Sequence, residues 1–194
     1  MHVSSDSVVS GADSLYDETV LPNRCPSYGA ANTAAETAVR LLHSAAVVVR
    51  TSLTIGDGGS SHKRVVHASA ASAGEGALFT DDVRCPVHVA DLAAALWELA
   101  ISDATGVLYL TRPDAISRYE LGALIARPDG IAPSLLPASH RVGSPFPGAL
   151  DVRLDTTATQ HRLGTRAFPP RRSRTSRSRW RSGGASYGHR SMNS

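Results

Sequence analysis

The chain lacks any long hydrophobic run. Nowhere does it approach the roughly 18 consecutive apolar residues of a membrane-spanning helix, so no membrane partner is expected. Its first residues, MHVSSDSVV, carry neither the basic start nor the apolar stretch of a secretory leader, and the expected compartment is the cytoplasm. Cysteine is scarce: Cys25 and Cys85 lack metal-ligand spacing and show no sign of an oxidising compartment, so both read as buried or incidental thiols without a disulfide. His62 and His67 miss the i, i+4 spacing of helical metal ligands, and no carboxylate or cysteine completes a set, so no metal is expected. An excess of positive charge is also missing from most of the chain. The formal net charge is +3, but arginines from Arg166 onward supply it, which argues against a nucleic-acid surface on the main body.

What is present is a chain of 194 residues, 42% hydrophobic, long enough for one domain with a sizeable core. The opening run through Val9 is β-branched and ends in the loop signal SGADS, which predicts a buried strand. DSLYDETVLPNRCPS is a polar loop whose prolines forbid regular structure. From Pro26 to Leu42, residues Ala31, Ala34, Ala35, Ala38, Val39 and Leu42 recur at helical spacing and predict a helix whose stripe of small side chains packs on a sheet. AAVVVRTS (Ala45 to Ser52) runs without alternation, as in a parallel strand covered on both faces. After the loop GDGGSS, HKRVVHASAAS predicts a helix and CPVHV a short strand. ADLAAALWELAIS predicts an amphipathic helix with Trp97 in the core, and GVLYLT a further strand. Ser117 and Glu120 make a capping box for a helix that runs to about Ala126 and buries Tyr119. Asp155 caps a last helix, TTATQHRL, closed by Gly164. Strands alternating with helices predict an α/β fold with a mainly parallel sheet, and the Pro- and Gly-rich stretch from Arg127 to Leu150 a loop-dominated lobe.

Beyond Arg166 aliphatic residues nearly vanish, and such a segment cannot bury enough surface to offset its ordering entropy. Residues 1–165 are therefore expected to form the domain and residues 166–194 a disordered Arg/Ser-rich tail. Three readings of the tail stand: a solvated extension, an RNA- or polyanion-binding segment with Trp180 and Tyr187 to stack, or coding sequence read out of frame.

The pieces VSSDSVVSG on a strand, YGAAN opening a helix, and VVVRTSLTIGDGG on the next strand are followed by DDVRCPVHVADLAAAL and GVLYLTRPDAISRYELGALIA. In this order and spacing they resemble the extended short-chain dehydrogenase/reductase family, most closely its dTDP-4-dehydrorhamnose reductase branch, from Met1 to about Gly164. The resemblance implies a doubly wound Rossmann-type sheet that binds NAD or NADP, with a small C-terminal lobe that holds a nucleotide-sugar. It also implies hydride transfer at a sugar carbon, assisted by a Ser/Thr, a Tyr and a Lys. By position Ser5 resembles the hydroxyl that bonds the substrate oxygen, Tyr28 the acid/base, and Asn32 stands where the family has lysine. Implied cofactor contacts are Tyr28, Asn32 and Thr51; implied substrate contacts are Ser5, Arg84 and His88.

Two departures from that pattern have physical consequences. A phenol with a pKa of about 10 is ionised in only about one molecule in a thousand at pH 7. A nearby ammonium favours the ionised form, and residues four apart share a helix face. Asn32 can hydrogen-bond a ribose hydroxyl but brings no charge, so redox activity is expected to be impaired. The second departure is at the cofactor. Proteins of this kind begin with a strand, a glycine-rich turn and a helix N-terminus that receives the pyrophosphate. IGDGGSS does not match that turn, so by the resemblance about 90 to 100 family residues preceding Met1 are absent, together with the NAD(P) cradle. A sheet edge left open in this way invites self-association.

The expected function is that of a sugar-nucleotide reductase-like protein, impaired as this fragment. The alternatives are a non-catalytic module that binds a nucleotide-sugar or a partner through the substrate lobe, and RNA binding through the tail. Plainer readings stand beside the individual roles. Ser5 also reads as a strand-end serine bonding a loop backbone, and Tyr28 as an aromatic pinning the start of its helix. Arg50, with Thr51 and Ser52 at the carboxyl end of a parallel strand, either faces a ligand or pairs with a carboxylate. Arg84 either forks onto a phosphate or lies on the surface, and His88 then bonds backbone.

Overall fold

The computed structural model describes residues 1–13, 15–23, 26–56, 60–71, 76–145 and 148–163; the tail, Gly164 and Cys25 lie outside them. In chain order, β1 (His2–Ser5) leads into a 3-10 turn (Asp6–Val8), then α1 (Ser27–Leu42), β2 (Val47–Thr51) and β3 (Thr54–Ile55). Next come α2 (Ser61–Ala71), β4 (Leu78–Phe79), β5 (Val83–Arg84), β6 (Val87–His88) and α3 (Val89–Ala100). β7 (Gly106–Leu110), β8 (Ile116–Ser117), α4 (Arg118–Ala126), β9 (Ala138–Ser139) and α5 (Thr157–Arg162) complete the series.

The fold is α/β. β1, β2 and β7 form a parallel sheet in that order, with β2 central, Val3 opposite Val49 and Val49 opposite Leu108. Val47, Val49, Leu108 and Leu110 point to one face of the sheet and are sealed by Leu92, Ala95 and Leu99 of α3. Alternation along β2 turns Arg50 to the opposite face, toward α1. A second apolar group, Val66, Leu78, Ala126 and Leu136, joins α2 to α4 and supports the smaller lobe, where Tyr119 packs partly buried. The lobe's strands are two-residue pairs, and 3-10 turns at Arg127–Asp129 and Pro133–Leu135 fill the stretch predicted to be mostly loop. The predicted capping box is present at α4: the Ser117 hydroxyl accepts from the Glu120 N–H, and Glu120 accepts from the Ser117 N–H. No helix among the described residues is long and apolar enough to cross a membrane.

Several local expectations need correction. The first strand ends at Ser5, not Val9, because the Ser5 hydroxyl accepts the Ser7 N–H and turns the chain into the 3-10 segment. The α1 stripe turns inward only in part, at the half-buried Ala35 and Val39. Gly29 and Glu36 are the buried residues of this helix, while Ala31, Ala34, Ala38 and Leu42 are exposed. The cause is a buried ion pair: Glu36 must face inward to meet Arg50 (Nη2 to Oε2, 2.8 Å), and this rotates the alanines outward. Trp97 is not in the core. It is 72% exposed, because Leu92, Ala95 and Leu99 already occupy the inward positions of α3. Asp155 precedes the N-cap of α5, which is Thr156, and accepts the Thr157 N–H at 2.9 Å from there.

Candidate functional site

The segment that follows β1, with Ser7 and Val9, opens on a cleft whose other wall holds Phe79, Asp82 and Arg118 of the lobe. Ser5 and Thr51 are register partners at the carboxyl ends of β1 and β2. The Ser5 Oγ is engaged locally: it accepts from Ser7 N at 3.1 Å and lies 3.3 Å from Asp6 Oδ1. The Thr51 hydroxyl donates to the Leu110 carbonyl at 2.9 Å across the sheet. Beneath Ser5, the Asp6 carboxylate is buried and accepts the Ser52 hydroxyl at 2.5 Å, with Arg84 Nε 3.8 Å away. Burial pushes the Asp6 carboxyl above the ordinary range, against the opposing pull of Ser52 and Arg84.

Arginines dominate the cleft. Buried Asp82 has Arg84 Nη1 at 2.8 Å, Arg141 Nη1 at 3.1 Å and Arg118 Nε at 3.4 Å. The Arg84 guanidinium also donates to the carbonyls of Val83, Ala149 and Leu150 at 2.7 to 3.1 Å, which fixes its plane. Arg141 donates to the same Ala149 carbonyl at 3.0 Å. Burial, with repulsion from Arg84, holds the Arg118 guanidinium below its ordinary range, although Asp82 opposes the shift. Three guanidiniums against two buried carboxylates leave a local surplus of positive charge, the condition that favours an anionic ligand.

The cleft encloses about 360 Å³ and is lined by Ser7, Pro26, Asp82, Arg84, Arg118 and Arg141, among others. A second, more apolar cavity of about 260 Å³ opens between α2 and α4, walled by Val65, Val66, Leu121 and Ile125, with His62 on its rim. Phe79, Asp82 and Arg118 line both cavities. Burial, with the Arg118 charge, keeps His62 below its ordinary pKa.

The remaining candidates sit as follows. Tyr28 stands on the first turn of α1 and is 65% exposed, two residues from the cleft-lining Pro26. Asn32 turns its amide back along the helix and donates to the Tyr28 carbonyl at 2.9 Å. His88 is the N-cap of α3, its Nδ1 accepting the Ala90 N–H at 3.3 Å. The structure thus gathers Ser5 and Arg84 around Asp6, places Thr51 beside Ser5, and leaves Tyr28 and Asn32 together on α1. Arg50 faces Glu36 and no ligand. Sequence reasoning missed Asp6, Asp82, Arg118 and Arg141. The one available signal was the residue after Ser117, where the motif Ser-Arg-Tyr-Glu was read only for its cap and not for its arginine.

Known proteins share this architecture. The probable low-salt glycan biosynthesis reductase Agl14 of Haloferax volcanii is 27% identical over 172 residues, covering 84% of this chain and 57% of that protein. The dTDP-4-dehydrorhamnose reductase of Bacillus anthracis, solved in complex with NADP, superposes with a TM-score of 0.71 at 21% identity, covering 87% of this chain and 59% of that one. MoeE5, solved with UDP-glucose and NAD, gives 0.67 at 25% identity over 88% of this chain and 58% of its own. The chain therefore spans a little over half the length of these relatives. Its residues 1–179 match the RmlD substrate binding domain, and the chain belongs to that family.

Proposed function

We propose that this chain is the substrate-binding portion of a sugar-nucleotide reductase and holds a nucleotide-sugar in the arginine-lined cleft. The observation that carries the reading is the trio Arg84, Arg118 and Arg141 converging on Asp82. The arginines line the first cavity, and Phe79, Asp82 and Arg118 are common to its wall and to that of the more apolar cavity between α2 and α4. A diphosphate suits the former and the face of a base the latter, and open α/β sheets bind ligands beyond the carboxyl ends of their strands.

Within that pose each group has a role. Ser5 bonds the sugar oxygen, and Tyr28 delivers the proton that a carbonyl needs as it becomes an alcohol. Arg84, pinned by three carbonyls and Asp82, frames the cleft, and Arg118, held to Asp82 through Nε, turns its fork to a phosphate. Thr51 and Asn32 fall on the cofactor side by family position, and His88 supports α3 at the substrate side. Relatives have been solved with NADP and with NAD bound, and a nicotinamide dinucleotide is the hydride donor that the family resemblance implies. The Asn32 amide donates to a backbone carbonyl, that of Tyr28. The role we assign to this chain's own groups is to bind and orient the sugar-nucleotide. The orientation of Asn32 favours the binding-only reading over unaided turnover.

Calorimetry of the purified chain with UDP-glucose and with a dTDP-sugar tests the proposal. Binding is expected, weakening with salt, and Arg118→Gln is expected to weaken it about tenfold to a hundredfold, the worth of one charge-assisted hydrogen bond. Absence of binding to either ligand overturns the proposal. Rapid NADPH oxidation with a 4-keto-sugar nucleotide sinks the binding-only reading and leaves the reductase reading standing.

A further inference from the structure

We propose that His62 is a proton-coupled ligand contact: a nucleotide-sugar seated against Arg118 draws a proton onto His62, and so binds more tightly as the pH falls through the histidine range. The inference rests on the function proposed above and adds to it a residue and a linkage. α2 carries two histidines in different surroundings. His67 is exposed and meets Asp129 Oδ2 at 2.7 Å, with Lys63 on the same carboxylate at 2.8 Å. His62 stands five residues earlier, which turns it about 140° away around the helix. It is half-buried and lines the cavity between α2 and α4, with Arg118 in the same wall. Among the described residues its imidazole enters no hydrogen bond or ion pair, so neither ring nitrogen is committed.

The charges around His62 are positive in surplus. Arg118, on the first turn of α4, repels a proton on the imidazole. Asp82 lines the same cavity but is shared by Arg118, Arg84 and Arg141. Glu120 of α4 is engaged in the Ser117 cap, Asp129 already holds Lys63 and His67, and Arg64 is exposed. The start of α2, where His62 stands, adds the partial positive charge of its backbone N–H groups. In the free protein burial and Arg118 therefore both hold the imidazole below its ordinary pKa. A phosphate on the Arg118 fork cancels that repulsion and brings a negative charge of its own, so the pKa of His62 is higher in the complex than in the free chain. Linkage is reciprocal, and a ligand that strengthens proton binding is itself bound more tightly by the protonated form. Affinity falls as the pH rises from the free value to the bound value and is level outside that window.

Calorimetry of the full chain with UDP-glucose, whose phosphates are diesters without an ionisation near neutrality, tests this. Affinity is expected to rise about threefold to tenfold from about pH 8 to about pH 5.5, the worth of up to one pKa unit. Near the middle of that range, buffers of low and high ionisation enthalpy should give different heats, which report uptake of part of one proton. His62→Gln, which hydrogen-bonds but cannot titrate there, should lose both effects. The His62 ring-proton resonance, identified by its absence from that variant, should titrate at higher pH with UDP-glucose bound. In ligand-free Arg118→Gln it should also titrate at higher pH than in the parent; should His62→Gln not bind, these titrations decide. UDP-glucose that binds at no pH overturns the function proposed above and this inference with it. Binding indifferent to pH, or a His62 titration that neither the ligand nor Arg118→Gln moves, overturns this inference alone. So does a pH dependence that persists in His62→Gln, which would place the proton on Asp6, the buried carboxyl beside Arg84.

Discussion

Replacing Glu36 by Gln preserves shape and removes one charge from a pair in which Glu36 is 2% and Arg50 1% exposed. The Glu36 Oε1 accepts from the Ser4 hydroxyl at 2.6 Å and from Arg50 Nε at 3.0 Å, and Oε2 accepts from Arg50 Nη2 at 2.8 Å. All three partners are donors. A glutamine has a single acceptor oxygen, and its amide N–H groups necessarily confront either Ser4 and Nε or Nη2. Arg50 keeps the Val20 carbonyl at 2.9 Å and the Tyr109 hydroxyl at 3.4 Å, neither of which neutralises it. Removing one partner of a buried pair costs about 3–5 kcal/mol, against a total stability of about 5–15 kcal/mol for ordinary domains. Glu36→Gln should therefore bring the protein close to unfolding at room temperature. Urea denaturation followed by circular dichroism measures this as a shift in midpoint at constant slope. The double change Glu36→Leu with Arg50→Met should recover most of the loss, because two apolar side chains leave no orphaned charge. A loss under about 1 kcal/mol in Glu36→Gln would refute the reasoning, since it would mean that water reaches Arg50.

Asp6→Asn should change how stability depends on pH. Burial raises the folded-state pKa of Asp6 above 3.8, so its contribution is fully present below that value and is lost as pH rises through the folded value. The variant should thus gain on the parent from acid to neutral pH, and a difference in urea midpoint that does not vary with pH would count against it. Gly11→Ala should destabilise by about 2–4 kcal/mol, from left-handed strain plus overpacking. Its φ is +76°, and an added Cβ would stand 2.3 Å from the Ala149 side chain. Because the Ala149 carbonyl anchors both Arg84 and Arg141, the same variant should also weaken nucleotide-sugar binding in the calorimetric assay, while unchanged affinity would show that the cleft tolerates movement of Ala149. Arg118→Lys, which keeps the charge but loses the planar fork, should bind nucleotide-sugar more weakly than the parent and more tightly than Arg118→Gln; equal affinity for Lys and Arg would argue against a forked phosphate contact.

Much of the fold was legible because its signals are local. The uninterrupted run at Val47–Arg50 marks a strand buried on both faces, and Ser117 with Glu120 marks a helix start, since a capping box is closed within four residues. Family likeness pointed to Ser5, Tyr28, Asn32, Thr51, Arg84 and His88 as candidates, and of these Arg84 lines the arginine-rich cleft. Arg118 and Arg141 escaped because they reach Asp82 from a helix start and a lobe loop that lie far away in sequence. Trp97 was misplaced because helical spacing shows which residues share a face but not which face turns inward.

By itself the sequence determined the order of helices and strands, the parallel α/β class and the family, since backbone propensity, capping and apolar period act over a few residues. Tertiary structure alone decided which side of α1 is buried, whether Arg50 serves a ligand or a carboxylate, and how three arginines come to share one aspartate. These outcomes rest on desolvation and charge pairing across the fold. A buried guanidinium must find its carboxylate, and meeting that demand from Arg50 outweighs the alanine stripe of the helix that carries Glu36.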